Sequence, residues 1–354
     1  MSDSTSATQL LIGCYTGESG TDGVVTARLS AIGPELTGQT VSLPNASWLV
    51  QHEQLVLAVS EWNPARLAVL RRMDDGLRVA SSAATHGADA CHLAVSPDGA
   101  WIAVANYASG SVSLFALPTG ASLAEPLAVL AFSGHGPDPE RQSAPHAHQV
   151  TWLDEDHVLV CDLGTDQLHV ARARATGEGA ELDLLTSVNL PPGTGPRHLV
   201  MRPVGPDEQQ FAVAGELSGR VVGVRHEGLD WGNGWWVGRS VLATNHPGQS
   251  QPSGLRLFGH DLVLANRGTN TIALLRWTDD GMLSLASESP CGGEHPRDLA
   301  EHGGLLFVAN QGSDTVSVLA HRGEGFEQVG ALAVQKPASL LFLSADDSPA
   351  GAAR

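Results

Sequence analysis

The stretch GTGPRHLVMRP (193–203) sets Arg197 and His198 directly before an apolar run, and similar placements recur along the chain. PHAH brings His146 and His148 to the head of QVTW, ACHLAV brings His92, and HPRDLA brings Arg297 and Asp298. Glu61, Tyr107, Glu216 and Arg267 stand instead just past apolar runs, in LVLAVSEW, WIAVANYA, QFAVAGELS and DLVLANRG. A guanidinium is always charged and grips a carboxylate or phosphate through two parallel hydrogen bonds. Imidazole and carboxylate groups move protons at neutral pH when their surroundings set the pKa. Gathered in one place, these residues would bind an anion and stabilise a developing oxyanion. Scattered, each is a solvated loop end, since Arg and His are mostly exposed. The elements that carry them decide which.

Those elements repeat. One apolar run reads LLIGCYTG, LVLAVSEW, WIAVANYA, HVLVCDLG, QFAVAGELSG, DLVLANRGTN and LLFVANQGSD, seven copies spaced 44 to 56 residues apart, a blade-length period. A second run precedes each copy but the first: NASWLVQ, ACHLAVS, PHAHQVTW, GPRHLVMR, QPSGLRLF and HPRDLAEH. A seventh, KPASLLFL, comes last. Turn sequences such as SPDGA and LDEDH separate the paired runs, short enough for antiparallel hairpins. Outer strands such as SVSLFAL, QLHVARA, TIALLRW and TVSVLAH follow. Sheets of four strands repeated about an axis make a propeller. The pattern therefore predicts an all-β, seven-bladed propeller occupying residues 8–344 as one domain, with 1–7 and 345–354 as flexible tails. Its seventh blade is expected to close by pairing the N-terminal strands with the C-terminal inner strand.

In that geometry the inner strands begin, and their partners end, on one face of the disk. Arg197, His198, His92, His146, His148 and Arg297 then surround the axial mouth, with Ser253, Asp298 and Ser339 beside them. Glu61, Tyr107, Asp162, Glu216 and Arg267 arrive from the neighbouring strand ends, together with Asn266, Asn310 and Gln311. A concave mouth with convergent polar groups is the default binding site.

Composition narrows the partners. The net charge of −18, from 20 basic and 38 acidic residues, argues against nucleic acid and anionic membrane. Four cysteines, at 14, 91, 161 and 291, form no CxxC pair and read as buried free thiols, with no structural zinc. MSDSTSATQLLIG lacks a signal-peptide pattern and no run approaches a membrane span, so a cytoplasmic monomer or weak homodimer is expected.

Across nearly the whole chain the motifs resemble the lactonase family of seven-bladed propellers. The resemblance is carried by SPDGAWIAVANY, APHAHQVTW, CDLGTDQLHV, GPRHL, GELS, ANRGTNTIALLRW and HPRDL with LLFVANQGSDTVSV. SPDG and VAN are common to many propellers; the ordered set PHxH, GPRH, ELS and NRG is the specific part. Gly215, where relatives often carry asparagine, and Trp277 in the third strand depart from the pattern without removing a site residue. The resemblance implies hydrolysis of a small anionic sugar lactone without a cofactor, 6-phosphogluconolactone to 6-phosphogluconate in the pentose phosphate pathway. It places catalysis on His146 or His148, Arg197, Glu216 and Arg267. The other mouth residues, His92, His198, Arg297, Glu61 and Tyr107, are expected to bind substrate. Arg197 and Arg267 would hold the anionic group and the oxyanion, and Glu216 or His148 would activate water. A carboxymuconate-type lactonising cycloisomerase would use the same arginines on carboxylates, and a non-catalytic scaffold would need none of them. A metal-dependent lactonase would draw on Glu61, Asp162 and Glu216, against the repulsion of the arginines. WGNGWW (231–236) is expected at the blade periphery, and the Pro- and Gly-rich run 133–148 as a partial lid or a plain connector.

Overall fold

The computed structural model describes residues 8–344 except 18–21, 31–32, 74–75, 178, 206, 247, 249 and 279–280. Both expected tails lie outside the described residues. Among these, twenty-eight strands, β1 to β28, form seven four-stranded antiparallel sheets. Six blades open on an inner strand: β4 (Ala46–His52), β8 (Ala90–Val95), β12 (Ala147–Trp152), β16 (Pro196–Gly205), β20 (Gln251–Phe258) and β24 (Pro296–His302). The seventh is built from both ends of the chain. Its inner strand β28 (Pro337–Leu343) pairs with β1 (Gln9–Cys14), placing Ile12 opposite Leu340 and Gln9 opposite Leu343. Each inner strand touches the next, and β28 touches β4, so the ring is closed. The repeat predicted this architecture, including the closing blade.

The second strand of each blade reads as an unbroken apolar run because it is covered on both faces. In β5 (Leu55–Ser60), β9 (Trp101–Asn106) and β13 (His157–Asp162) every residue after the first is buried. What covers them are the neighbouring blades. Among the described residues seven apolar clusters form, one between each pair of successive sheets. Phe115, Phe211 and Phe307 are the largest fully buried side chains of these wedges. Burying a side chain of this size stabilises the fold by roughly 1.5–3 kcal/mol. Among the described residues no helix is long and apolar enough to cross a membrane.

Trp235 and Trp236 begin the outermost strand of their blade, β19 (Trp235–Leu242). Trp235 packs on Phe211 and Trp231, and Trp236 is exposed. Both are peripheral, as WGNGWW suggested.

Candidate active site

Two local devices bring the unusual residues to the axis. The residue before the inner strand adopts a left-handed conformation in five blades: Asn45, Asp89, Gly195, His295 and Lys336 have φ between 45° and 58°. Its carbonyl accepts a hydrogen bond from the first residue past the partner strand, Glu61, Tyr107, Glu216, Gln311 and Tyr15 respectively. At Gly195 only glycine fits, since a Cβ would lie 2.4 Å from Leu217 Cγ.

The second device is a β-bulge at the head of the inner strand. Pro196 pairs with Gly215 and His198 with Ala214, leaving Arg197 unpaired between them. The same one-residue slip isolates Ser47, Cys91, His148 and Arg297 in their blades, and an irregularity covers the equivalent stretch of the other two. A bulge re-aims a side chain out of the pleat. Here five of the re-aimed residues, Ser47, Cys91, His148, Arg197 and Arg297, meet with Ala338 around one axial recess, closed by Trp48, Glu61 and His198. It has room for about one water molecule. A wider cleft between β19 and β23 (Leu283–Pro290) lies at the blade edge, away from every residue the sequence singles out.

Beside the recess stands Glu216, its side chain 5% exposed and surrounded by three guanidinium groups. Arg141 Nη2 donates to Oε1 at 2.7 Å. Arg197 Nε and Arg267 Nη2 approach Oε2 to 3.1 and 2.5 Å. Arg267 is in close ionic contact with that oxygen, while the Arg197 Nε–H approaches it without being lined up as a hydrogen bond. Three cations on one carboxylate leave two positive charges in excess. Burial alone would raise the Glu216 pKa, but Arg267 and Arg197, then His148 and the bond from Arg141, hold it well below the usual carboxylate range. Burial and the neighbouring Arg267 bring Arg197 down to about 9, still cationic at neutral pH.

The histidines divide into two kinds. His92, His148 and His198 are buried, and burial followed by the charge of nearby arginines pushes all three well below the usual imidazole pKa. They are neutral. His198 lies edge-on to His92, His148 and Trp48, with ring centres 5.7, 5.5 and 5.3 Å away. His146 instead stacks flat on Tyr107 at 4.5 Å, its Nδ1 3.0 Å from the Tyr107 carbonyl. A carbonyl only accepts, so Nδ1 carries the proton there. On the opposite wall Tyr15 donates to Glu61 at 2.6 Å, and Arg297 covers the Tyr15 ring at 4.7 Å and donates to its hydroxyl.

Several residues expected at the mouth serve the blades instead. Asp162 accepts from the His146 and Gly164 amides, and its other oxygen meets His169. Asn266 bonds the Ala243 carbonyl and Asn310 bonds Ser317. Ser253 donates to Ala265 and Pro296, while Ser339 accepts from Leu49 and Asp298 from Arg256. These are short polar side chains that satisfy backbone groups locally. Glu61, Asp162 and Glu216 therefore do not converge, and among the described residues no cluster of His, Cys, Asp or Glu could hold a metal. All four cysteines are free and buried, and burial raises the pKa of each thiol.

Sequence reading missed Arg141, Tyr15 and Trp48. Arg141 lies in the 133–148 run, which is more than a connector. Buried Gln142 anchors it through Leu163 and Asp166, and Arg141 reaches over to Glu216 and to within 3.4 Å of the Tyr107 hydroxyl.

The family model described as "Lactonase, 7-bladed beta-propeller" matches residues 9–339. An uncharacterised protein of Staphylococcus saprophyticus is 29% identical over 72% of this chain and 74% of its own length. The 6-phosphogluconolactonase of Bacillus subtilis is 30% identical over 60% of each chain. A solved structure, the periplasmic gluconolactonase of Pseudomonas aeruginosa, is 25% identical, with a TM-score of 0.82 over 96% of this chain and all of that one.

Proposed function

The chain belongs to the lactonase family of seven-bladed β-propellers, and from that membership we propose that it hydrolyses a sugar lactone bearing an anionic group, 6-phosphogluconolactone foremost. The observation that carries this reading is the buried Glu216 with three arginines around it, whose combined charge exceeds its own by two. An acidic protein that concentrates two uncompensated cations at its axis is built to receive an anion.

Arg197 and Arg267 supply the donors for the carbonyl oxygen as it gains charge in the tetrahedral intermediate. They are nearly dry, so their charge is poorly screened. Glu216 keeps the two guanidinium groups in place, with both of its oxygens already engaged by arginines. The proton of the attacking water goes to His148, a bulge residue aimed at the recess and within electrostatic reach of Glu216 and Arg197. As the ring C–O bond breaks, His148 returns the proton to the departing oxygen. His146 has spent Nδ1 on a carbonyl and supports the Tyr107 wall. Arg141, 40% exposed, stands outermost and meets the phosphate. His198 and His92 lie behind the reacting centre, while Glu61 and Arg297 form the wall opposite.

The test is hydrolysis of 6-phosphogluconolactone and of gluconolactone at neutral pH, each corrected for its spontaneous rate. Acceleration of the phosphorylated lactone above the neutral one is expected. No acceleration of either, nor of a muconate lactone, would leave a non-catalytic scaffold.

A further inference from the structure

Among the described residues, five buried polar atoms without a protein partner share one neighbourhood: Ser47 Oγ, Trp48 Nε1, and the Nδ1 atoms of His92, His148 and His198. Ser47, Trp48, His148 and His198 line the axial recess, and His92 is packed on Trp48 with ring centres 4.2 Å apart. Burying a hydrogen-bonding atom without a partner is costly, and five together call for a ligand.

The chemistry of that ligand can be read from the donors. An indole N–H only donates. His198 Nε2 lies 3.5 Å from Arg197 Nη1, which has only protons to offer, so the neutral ring carries its own proton on Nδ1. Among the partnerless atoms of the residues that line the recess, Trp48 Nε1–H and His198 Nδ1–H are donors and call for an oxygen that accepts. Size decides which oxygen: there is room for about one water and none for a sugar ring.

We infer that the recess binds one water molecule between Trp48, Ser47, His148 and His198, and that this water is the nucleophile for the lactone. The inference rests on the reaction proposed above. The water accepts from Trp48 and His198 and donates to His148. On attack it keeps one accepted bond, its other lone pair forms the bond to the carbonyl carbon, and its proton passes to His148. The ring C–O bond then breaks and the leaving oxygen takes that proton. Trp48 and His198 are positioning residues under this scheme, holding the nucleophile on the axis beneath the arginines.

A crystal structure at atomic resolution, without lactone, should show one ordered water within hydrogen-bond distance of Trp48 Nε1. Trp48→Phe keeps the ring and removes the N–H; it should lose that water and lower kcat about tenfold, with KM changed less than about twofold. A purely structural role would instead move KM and the melting temperature with it. A dry recess, or a Trp48→Phe enzyme with unchanged kcat, overturns the inference. Should Trp48→Phe fail to fold, Ser47→Ala is read in the same two ways. If the unaltered protein hydrolyses no lactone yet holds the water, the proposed reaction falls and the hydration site stands.

Discussion

Arg141, Arg197 and Arg267 touch the same carboxylate but differ in exposure, at 40%, 4% and 8% of the side chain. That difference separates their work. Arg141→Ala is expected to raise KM for a phosphorylated lactone about tenfold, the worth of one charge-assisted hydrogen bond near solvent, and to leave the neutral lactone unchanged. Arg267→Ala is expected to lower kcat on both substrates by about a hundredfold or more, as loss of an oxyanion donor does. Equal effects of the two substitutions on the two lactones would dismiss the division. The buried histidines add a stability signature. His92, His148 and His198 have folded pKa values well below 6.5, so below pH 6.5 the unfolded chain binds protons that the native one does not. Stability contributed by their neutral forms is full above that pH and falls beneath it, by up to about 4 kcal/mol per pH unit for three groups. Glu216 works in the opposite sense to a raised group: its depressed folded pKa adds stability above the ordinary carboxylate range, lost only in stronger acid. Urea unfolding midpoints between pH 7.5 and 5 should therefore drop steeply, and His92→Phe should lessen the slope by one proton. At this scale the sequence showed Arg197 and Arg267 because cations beside apolar runs break a pattern. Arg141 broke none; it is one charge in a polar run, and only the fold of that run aims it.

The strand period was legible in the sequence, and the bulge was not. Nothing in the letters PRHLV marks the slip, which exists only relative to the partner, VAGELS. The same blindness placed Asp162, Asn266 and Asn310 at the mouth. A strict alternation cannot distinguish a side chain facing the axis from one turned back to staple the turn. What the element does carry in its letters is the glycine that starts it. Gly195 has φ of 58°, and a Cβ there would collide with Leu217. Its carbonyl also holds the Glu216 amide at 2.8 Å. Gly195→Ala is therefore expected to destabilise the protein by about 2 kcal/mol or more through strain and clash. It should also cut turnover, because the Arg197 bulge and Glu216 hang on that one peptide. Gly177→Ala, with nothing near its Cβ and no left-handed φ, is the control and should change neither.

At the scale of the whole molecule, each blade has no core of its own; its apolar faces are covered only by its two neighbours. Seven near-equal repeats in the sequence announced the ring because a blade cannot be stable alone. The site inherits that dependence: Arg141, Arg197, Glu216 and Arg267 come from chain positions up to 126 residues apart and meet because successive blades pack side by side. Closure rests on β28. It covers β1 by hydrogen bonding, sends Leu340 into the wedge against Phe307, and receives the Asp298 carboxylate on the Leu340 amide. Removing residues 337–354 would bare β1 as an open edge and empty part of two wedges. The shortened chain is expected to lose its cooperative unfolding transition, read by near-ultraviolet circular dichroism, and all lactone turnover with it. Supplying the segment 337–344 ahead of residue 8 through a flexible linker should restore both. The pairing of β28 with β1, and not the order of the chain, is what the circle requires.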